Sequence, residues 1–321
     1  MNDKPVKPTA LKPGDTIGLI APASPLLNLD DLRRAESFLA GLNFRVKLGR
    51  HVRSRHGFLA GTDRERVEDL LTMFADRKVR AVFCLRGGYG SGRLLELIDW
   101  NLITANPKVF LGHSDLTALL GAINSRTGLV TFWGPLAGYD LGRYCSAFKT
   151  RWLKAVVCGT RENLRLPASP PSAARRIRVI SPGSAQGRLA GGNLSLIASL
   201  MGTPYEIDTA GKIFFFEDVD EEPYRVDRML NQLSLAGKLQ AAAGIVVGRC
   251  VNCESSGRMK YTFRLRQVLD GWLERLGIPV LYGFPFGHEP EKITLPIGVQ
   301  ARLTSDPPSL TLLEPAVTPG D

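Results

Sequence analysis

The stretch that decides the fold is Lys108-Val-Phe-Leu-Gly-His-Ser-Asp-Leu-Thr117. Its apolar residues at 109–111 predict a short buried strand, Gly112 predicts a corner, and residues 115–122 have a helical pattern. Ser114 is therefore expected at a strand-to-helix bend, beside helix N-terminal amides that can hold a developing oxyanion. Serine is also a preferred helix N-cap, so this stretch alone favours the simpler capping interpretation.

Strands and helices alternate through the first half of the chain. Thr62-Asp-Arg-Glu65 has the sequence of a capping box and predicts the start of one of these helices. The alternation predicts an α/β fold with a doubly wound parallel sheet. The predicted strands are 16–22, 44–48, 79–85, 109–111 and 129–133, and the predicted helices between and after them are 30–42, 62–74, 91–98, 115–122 and 149–157.

The alternation ends at a proline-rich stretch, Leu166-Pro-Ala-Ser-Pro-Pro-Ser-Ala173, after which strands predominate. A chain of 321 residues is long enough for two domains, each with its own core. We therefore predict an N-terminal domain over residues 1–165, a linker over 166–176 and a C-terminal domain over 177–321.

Composition argues for a globular protein in a reducing compartment. No run of about 18 apolar residues is present, which argues against a membrane span. The first residues are polar and lack the apolar centre of a secretory signal. The five cysteines are scattered and odd in number, which favours reduced thiols over a disulfide framework. A cytoplasmic location is the expectation.

The net charge of +10 raises the alternative of a non-catalytic nucleic-acid-binding protein. The basic residues are dispersed, however, and no nucleic-acid motif is recognisable. A solvated basic face explains the charge more simply. A salt-dependent mobility shift of DNA or RNA would support the alternative.

Three further features carry candidate chemistry. Arg86-Gly-Gly-Tyr-Gly-Ser-Gly-Arg93 follows a strand, and its glycines fit either an amide-lined pocket or a tight structural turn. Glu217 ends an apolar strand, where partial burial would require a partner for its carboxylate. His288 lies in a loop constrained by glycine and proline, which makes it a plausible base. His113 adjoins Ser114 and is expected on the opposite face of its strand.

Ser114, Glu217 and His288, in that order and with their surroundings, resemble the LD-carboxypeptidase family of serine peptidases. The similarity covers nearly the whole chain. The Gly-x-Ser-x-Gly elbow of α/β-hydrolases is absent, because Leu116 stands at its second glycine. His113 stands where an apolar residue is expected, which bears on substrate preference. The matching motifs are Lys12–Pro22, Arg86–Gly90, Gly112–Asp115, Gly191–Leu194, Glu217–Leu230, Gly283–His288 and Thr294–Gly298.

The resemblance implies a flavodoxin-like N-terminal domain and a mostly β C-terminal domain that is barrel-like or α+β. It implies a homodimer with its active site between the domains, and hydrolysis of the L,D-peptide bond to the terminal D-alanine of cytoplasmic muropeptide tetrapeptides. No metal, cofactor, nucleic acid or membrane is implied. Its site residues are Ser114 as nucleophile, His288 as base, Glu217 orienting the base, the Asp115 and Gly88 amides at the oxyanion, and Gly87, Tyr89 and Asn193 at the substrate.

An alternative within the same family is a peptidase resembling the microcin C self-immunity enzymes, which cleave a toxic peptidyl-nucleotide. Such an enzyme would share the catalytic triad, so only trials with both substrates separate the two. The acidic stretch from Asp218 to Glu222, which leads directly into Pro223, favours the cell-wall type.

Metal independence is the first testable prediction. Cys250 and Cys253 have the spacing of half a zinc site, but no second pair lies nearby in the sequence, and we expect free thiols. Excess chelator should therefore leave the rate of peptide hydrolysis unchanged. A rate that collapses with chelator and returns with added zinc would contradict the serine mechanism.

Overall fold

A computed structural model of the chain describes residues 4–170, 177–257 and 261–320. The chain divides into two compact units, which we call unit one and unit two. Unit one comprises Met1–Arg161, Ile293–Gly298 and Pro315–Asp321, and unit two comprises Glu162–Lys292 and Val299–Glu314.

The described residues form strands and helices in the following order along the chain. The strands are β1 (Thr16–Ile20), β2 (Arg45–Leu48), β3 (Val79–Cys84), β4 (Val109–Gly112), β5 (Thr131–Trp133), β6 (Leu164–Leu166), β7 (Arg178–Ser181), β8 (Ser184–Asn193), β9 (Ile213–Glu217), β10 (Gly244–Gly248), β11 (Val280–Phe284), β12 (Leu295–Ile297), β13 (Gln300–Ser305) and β14 (Pro308–Leu312). The helices are α1 (Asp30–Gly41), α2 (Asp63–Ala75), α3 (Trp100–Ala105), α4 (Thr117–Thr127), α5 (Ala147–Val157), α6 (Leu194–Ser199), α7 (Pro223–Leu235), α8 (Lys238–Ala241) and α9 (Leu265–Leu273).

The sheet of unit one has the strand order β12-β5-β4-β3-β1-β2. Strands β1 to β5 pair in parallel, and β12 adds an antiparallel edge. The order 2-1-3-4-5 is that of flavodoxin-like folds, so the predicted fold class of this part is confirmed. Strands β3 and β4 are almost entirely buried, which explains their continuous apolar sequences.

Unit two contains a mixed sheet with the order β6-β14-β13-β8-β9-β10-β11-β7. Strands β8 to β11 pair in parallel at its centre, and the flanking pairs are antiparallel. The apolar faces of α6, α7 and α9 pack on one side of this sheet, against Phe214 and Phe216 of β9. The predicted strand-rich α+β character of the second part is confirmed.

Alternation along β9 places Phe215 on the opposite face from its two phenylalanine neighbours. There its ring meets the ring of Phe286 edge to face, with 5.7 Å between the centroids. This contact fastens the loop that follows β11 onto β9, and the same loop carries His288.

Two short strands were not expected from the sequence. Strand β12 pairs with β5, so Ile293–Gly298 belongs to unit one, whereas the predicted C-terminal domain covers all of residues 177–321. Strand β6 pairs with β14 and begins unit two ahead of the predicted linker. Residues 171–176 of that linker lie outside the described residues. None of the helices in the described ranges has the length and hydropathy needed to span a membrane.

The predicted helices are confirmed in position, with differences in their bounds and helix type. The predicted helix at 91–98 is a 3₁₀ helix, Ser91–Leu97, and the helix after Ser114 opens with a 3₁₀ turn before continuing as α4. The capping box of α2 is confirmed, because the Glu65 amide donates to the Thr62 hydroxyl at 3.2 Å and the Thr62 amide donates to the Glu65 carboxylate at 2.7 Å.

The capping box yields a stability prediction. Thr62→Ala removes the acceptor of the Glu65 amide and should lower the free energy of unfolding by about 1 kcal/mol. Thr62→Ser keeps that acceptor and serves as the matched control. Urea unfolding followed by circular dichroism measures both variants, and equal losses in the two would show that the hydroxyl acceptor contributes nothing.

Candidate active site

Two loops meet at the carboxyl edge of the unit-one sheet, where the strand order reverses between β1 and β3. The Ser24 amide, in the loop after β1, donates to the Gly87 carbonyl at 3.1 Å. The Tyr89 amide, in the loop after β3, donates to the Ser24 hydroxyl at 3.1 Å. Ligands of open α/β sheets bind at this kind of edge.

Ser114 follows β4 at the same edge and has an unusual backbone conformation. Its φ is +62°, in the left-handed region, whereas the preceding His113 is extended with a φ of −153°. A non-glycine residue held in a sparsely populated region costs about 1–3 kcal/mol, and such residues cluster at active sites. The bend thus has the strained strand-to-helix geometry that presents a nucleophilic hydroxyl.

Gly87 lies directly against this serine. A Cβ atom built on Gly87 would lie 2.9 Å from the Ser114 Cβ and 3.1 Å from its Oγ. Since real Cβ atoms essentially never approach another atom within 3.0 Å, a side chain here would displace the serine. The loop after β3 therefore needs glycine to bring its backbone beside the Ser114 hydroxyl.

The Asp115 side chain ties the turn after β4 to the loop after β3. Its carboxylate accepts hydrogen bonds from the amides of Gly90, at 3.2 Å, and Ser91, at 2.7 Å. Burial raises the pKa of Asp115, and these hydrogen bonds oppose that shift. The backbone N–H groups of Asp115 and Gly88 make no hydrogen bond to other described residues, so both are available to an acceptor such as an oxyanion.

His113 is buried and faces the interior of unit one. Its Nδ1 lies 3.1 Å from the carbonyl oxygen of Gly134 and 3.6 Å from Oδ2 of Asp140. Its ring also meets the Trp133 ring edge to face, at 5.4 Å between centroids. These contacts hold the His113 ring in the interior of unit one, next in sequence to Ser114.

Unit two brings Glu217 and His288 into direct contact. Glu217 is the last residue of β9 and is fully buried. Its Oε2 lies 2.8 Å from Nδ1 of His288 and accepts a second hydrogen bond from the His288 amide at 3.2 Å. Burial alone lowers the pKa of His288, but the charge and hydrogen bond of Glu217 outweigh it, so the pKa is raised above 6.5.

Gly287 makes this contact possible. Its φ is +102°, and a Cβ atom there would lie 2.4 Å from Oε2 of Glu217. Only glycine accommodates both the backbone conformation and the approach of the carboxylate.

Two predicted substrate contacts have different environments. Tyr89 is 53% exposed and meets the Phe58 ring edge to face at 5.5 Å, so it is accessible to a ligand. Asn193 is only 3% exposed, and its amide nitrogen lies 3.3 Å from Oε1 of Glu217. Its side chain therefore points at the predicted catalytic carboxylate.

Sequence reasoning missed Asp218, which it included in a charged stretch. The side chain is 2% exposed and accepts hydrogen bonds from Asn193 and Ser195. Burial raises its pKa to about 6, and the neighbouring charge of Glu217 acts in the same direction. Its position directly after a buried strand was the available signal, because such residues lie at the functional edge of a sheet.

Cys250 and Cys253 are free thiols that follow β10, as predicted. Burial raises the pKa of Cys84, and also that of Cys158 to about 11, so these two cysteines are unreactive thiols. No group of three or more metal-ligating side chains occurs in the ranges that the structure describes.

Family models match both parts of the chain. The N-terminal domain of LD-carboxypeptidase matches residues 17–134, and its C-terminal domain matches residues 186–303. The chain belongs to the LD-carboxypeptidase family. The predicted enzyme class, a serine-type LD-carboxypeptidase, is confirmed.

Known relatives span almost the full chain. A probable murein peptide carboxypeptidase of Bacillus subtilis is 45% identical, over 93% of this chain and 92% of that protein. The crystal structure of a muramoyltetrapeptide carboxypeptidase from Oxalobacter formigenes has a TM-score of 0.82 and 32% identity, covering 95% of this chain and all of that one. A microcin C7 self-immunity protein, solved with aspartyl sulfamoyl adenosine, has a TM-score of 0.89 and 25% identity, covering 98% of this chain and 100% of that one.

Gly287 provides a test of the Glu217–His288 contact. Gly287→Ala places a methyl group where the carboxylate lies, so kcat/KM should fall on the order of 100-fold, as misplacement by about 1 Å does in enzymes. The matched control is Gly277→Ala, because Gly277 also has a positive φ, +68°, but has no atom within 4 Å of the added Cβ.

The control should lose stability but retain near-normal kcat/KM. Peptide hydrolysis and melting temperature are measured for both variants. If Gly287→Ala retains full kcat/KM while staying folded, the close approach of Glu217 to residue 287 has no role in activity.

Proposed function

We propose that this protein is a serine carboxypeptidase that hydrolyses the L,D-peptide bond of murein tetrapeptides and releases the terminal D-alanine. The observation that carries the proposal is the 2.8 Å contact between His288 Nδ1 and a buried carboxylate oxygen of Glu217. Ser114, at a strained bend with positive φ, supplies the nucleophile.

The contact with Glu217 determines how His288 works. A carboxylate next to Nδ1 keeps the proton on that nitrogen, which leaves the lone pair of Nε2 available to accept one. The negative charge also stabilises the imidazolium that forms during the reaction, consistent with the raised pKa of His288. We therefore assign His288 as the general base and Glu217 as the residue that orients it.

The proposed reaction has two stages. Nε2 of His288 takes the proton of the Ser114 hydroxyl as its oxygen attacks the carbonyl of the L-centred residue. The amides of Asp115 and Gly88 stabilise the oxyanion. His288 then gives its proton to the nitrogen of the leaving D-alanine, the acyl-enzyme forms, and a water molecule activated by His288 releases the remaining peptide.

The names of two relatives support the choice of substrate. The Oxalobacter protein is a muramoyltetrapeptide carboxypeptidase, and the Bacillus protein is a probable murein peptide carboxypeptidase. A peptide of this kind carries several carboxylates, which suits a chain with a net charge of +10. We propose that Gly87, which lies beside Ser114, and the exposed Tyr89 contact that peptide.

The likeness to the microcin C7 self-immunity protein supports an alternative substrate, a peptidyl-nucleotide. A side-by-side digest separates the two. Mass spectrometry of an L,D-tetrapeptide should show loss of one D-alanine, and an aminoacyl sulfamoyl adenosine should remain intact. The reverse pattern would favour the immunity function.

We further propose that the enzyme acts as a cytoplasmic homodimer in the recycling of cell-wall peptides. This part of the proposal comes from the family resemblance. Sedimentation of the purified protein tests the dimer, and accumulation of tetrapeptides in a deletion strain tests the recycling role.

Substitution of the proposed triad gives the central prediction. Ser114→Ala should lower kcat about 10⁴- to 10⁶-fold, and adding His288→Ala should cost little more, since triad members act as a unit. Glu217→Gln should cost less than either, because the nucleophile and base remain. The measurement is kcat on an L,D-tetrapeptide for the single variants and the Ser114/His288 double variant.

Melting temperatures of the variants serve as the folding control. Losses that multiply in the double variant would mean that the two residues act independently. A folded Ser114→Ala protein with near-normal kcat would exclude Ser114 as the nucleophile.

A further inference from the structure

We propose that Asn193 is a positioning residue for Glu217: Asp218 holds the Asn193 amide, and that amide fixes Glu217 so that its other oxygen faces His288. The catalytic part of this inference rests on the proposed function. The arrangement itself rests on contacts within unit two.

The backbone places Asn193 beside Glu217. They are paired residues of the neighbouring parallel strands β8 and β9, so their side chains emerge on the same face of the sheet. The Asn193 amide nitrogen lies 3.3 Å from Oε1 of Glu217, while Oε2 is the oxygen that accepts from His288. The two carboxylate oxygens thus have separate partners on opposite sides.

The helix that follows β8 fixes which way the Asn193 amide points. Asn193 is the N-cap of α6, and its side-chain oxygen accepts a hydrogen bond from the Leu196 amide at 3.2 Å. This leaves the NH₂ group directed at the carboxylates, where one N–H donates to Glu217 and the other donates to Asp218 at 2.9 Å. One amide therefore bridges two buried carboxylates.

Asp218 is anchored more firmly than its neighbour. Its Oδ1 accepts from the Asn193 side chain and from the Val219 amide, each at 2.9 Å. Its Oδ2 accepts from the Ser195 amide at 2.9 Å and the Ser195 hydroxyl at 2.7 Å. Four hydrogen bonds to one buried carboxylate hold it rigidly and oppose the rise in its pKa that burial causes.

This geometry explains why an asparagine next to the proposed triad faces inward. A substrate contact requires an accessible side chain, whereas Asn193 is 3% exposed. An orienting carboxylate needs support of its own, because a catalytic group loses efficiency when its partners are free to turn. Because Asp218 holds the Asn193 amide in place, that amide in turn restricts the movement of the Glu217 carboxylate.

Asn193→Ser is the decisive variant, because serine keeps an N-cap acceptor for α6 but lacks both N–H donors. We expect kcat to fall on the order of 10- to 100-fold with KM within about twofold, as for a misaligned catalytic group. Asn193→Asp should fall further, because it turns a third carboxylate toward Glu217 and Asp218. The matched control is Ser199→Ala, an exposed position on the same helix, which should keep normal kcat.

A spectroscopic readout separates this inference from the proposed function. The proton on Nδ1 of His288 should give a downfield resonance in ¹H NMR, assigned by its absence from a His288→Gln variant. Asn193→Ser should shift or broaden that resonance, and Ser199→Ala should not. This measurement needs no substrate, so it remains valid if Ser114 proves not to be the nucleophile.

A variant of Asp218 itself tests the effect of its charge. Removing it in Asp218→Asn should lower the pKa of His288, since that charge helps to raise it. The acid limb of the pH profile of kcat/KM should then move to lower pH. Among the described residues, other ionisable groups that face this cluster include Lys292 toward His288, Cys250 toward Glu217, and Glu221 across Ser195 from Asp218.

Two results would overturn the inference. A raised KM with unchanged kcat in Asn193→Ser would make Asn193 a substrate contact. An unchanged kcat together with an unchanged His288 resonance would show that Glu217 needs no support from Asn193.

Discussion

The burial of one carboxylate, that of Glu217, shapes the surroundings of the candidate site. An ion removed from water loses several kcal/mol of hydration, which its new partners must replace. Here His288 supplies donors on one side and Asn193 on the other, and residue 287 carries no side chain so that the carboxylate fits. The aromatic contact between Phe215 and Phe286 holds the His288 loop where these donors are needed.

The second buried carboxylate has a cost that depends on pH. The pKa of Asp218 is about 6 in the folded protein against 3.8 ordinarily, so the folded state binds its proton more tightly than the unfolded chain does. Protonation of Asp218 therefore stabilises the folded state. This stabilisation is present in full below about pH 4 and is lost as the pH rises through 6. At neutral pH the ionised Asp218 therefore lowers the stability of the fold, a cost that fits its proposed role in holding Asn193.

Much of the architecture followed from the sequence, because parallel strands buried on both faces leave long apolar runs between helical stretches. The bend at Ser114 followed from the same pattern. Strand β12 was not predicted, because three residues are too few to show an alternating pattern. Its pairing with β5 also joins positions far apart in the chain. The inward direction of Asn193 depends on the register between β8 and β9, which no local pattern encodes. The burial of Asp218 was not predicted, because it begins an acidic stretch whose other residues are typical of a solvated turn.

The left-handed backbone of Ser114 has a consequence for how this protein can vary. Glycine adopts a φ of +62° without strain, so at this one position the amino acid that best suits the folded backbone is not the one that supplies a hydroxyl. Stability and chemistry thus favour different residues at the same site. A search for more stable variants that ignored turnover would favour glycine here, and the protein would gain stability by losing its proposed nucleophile.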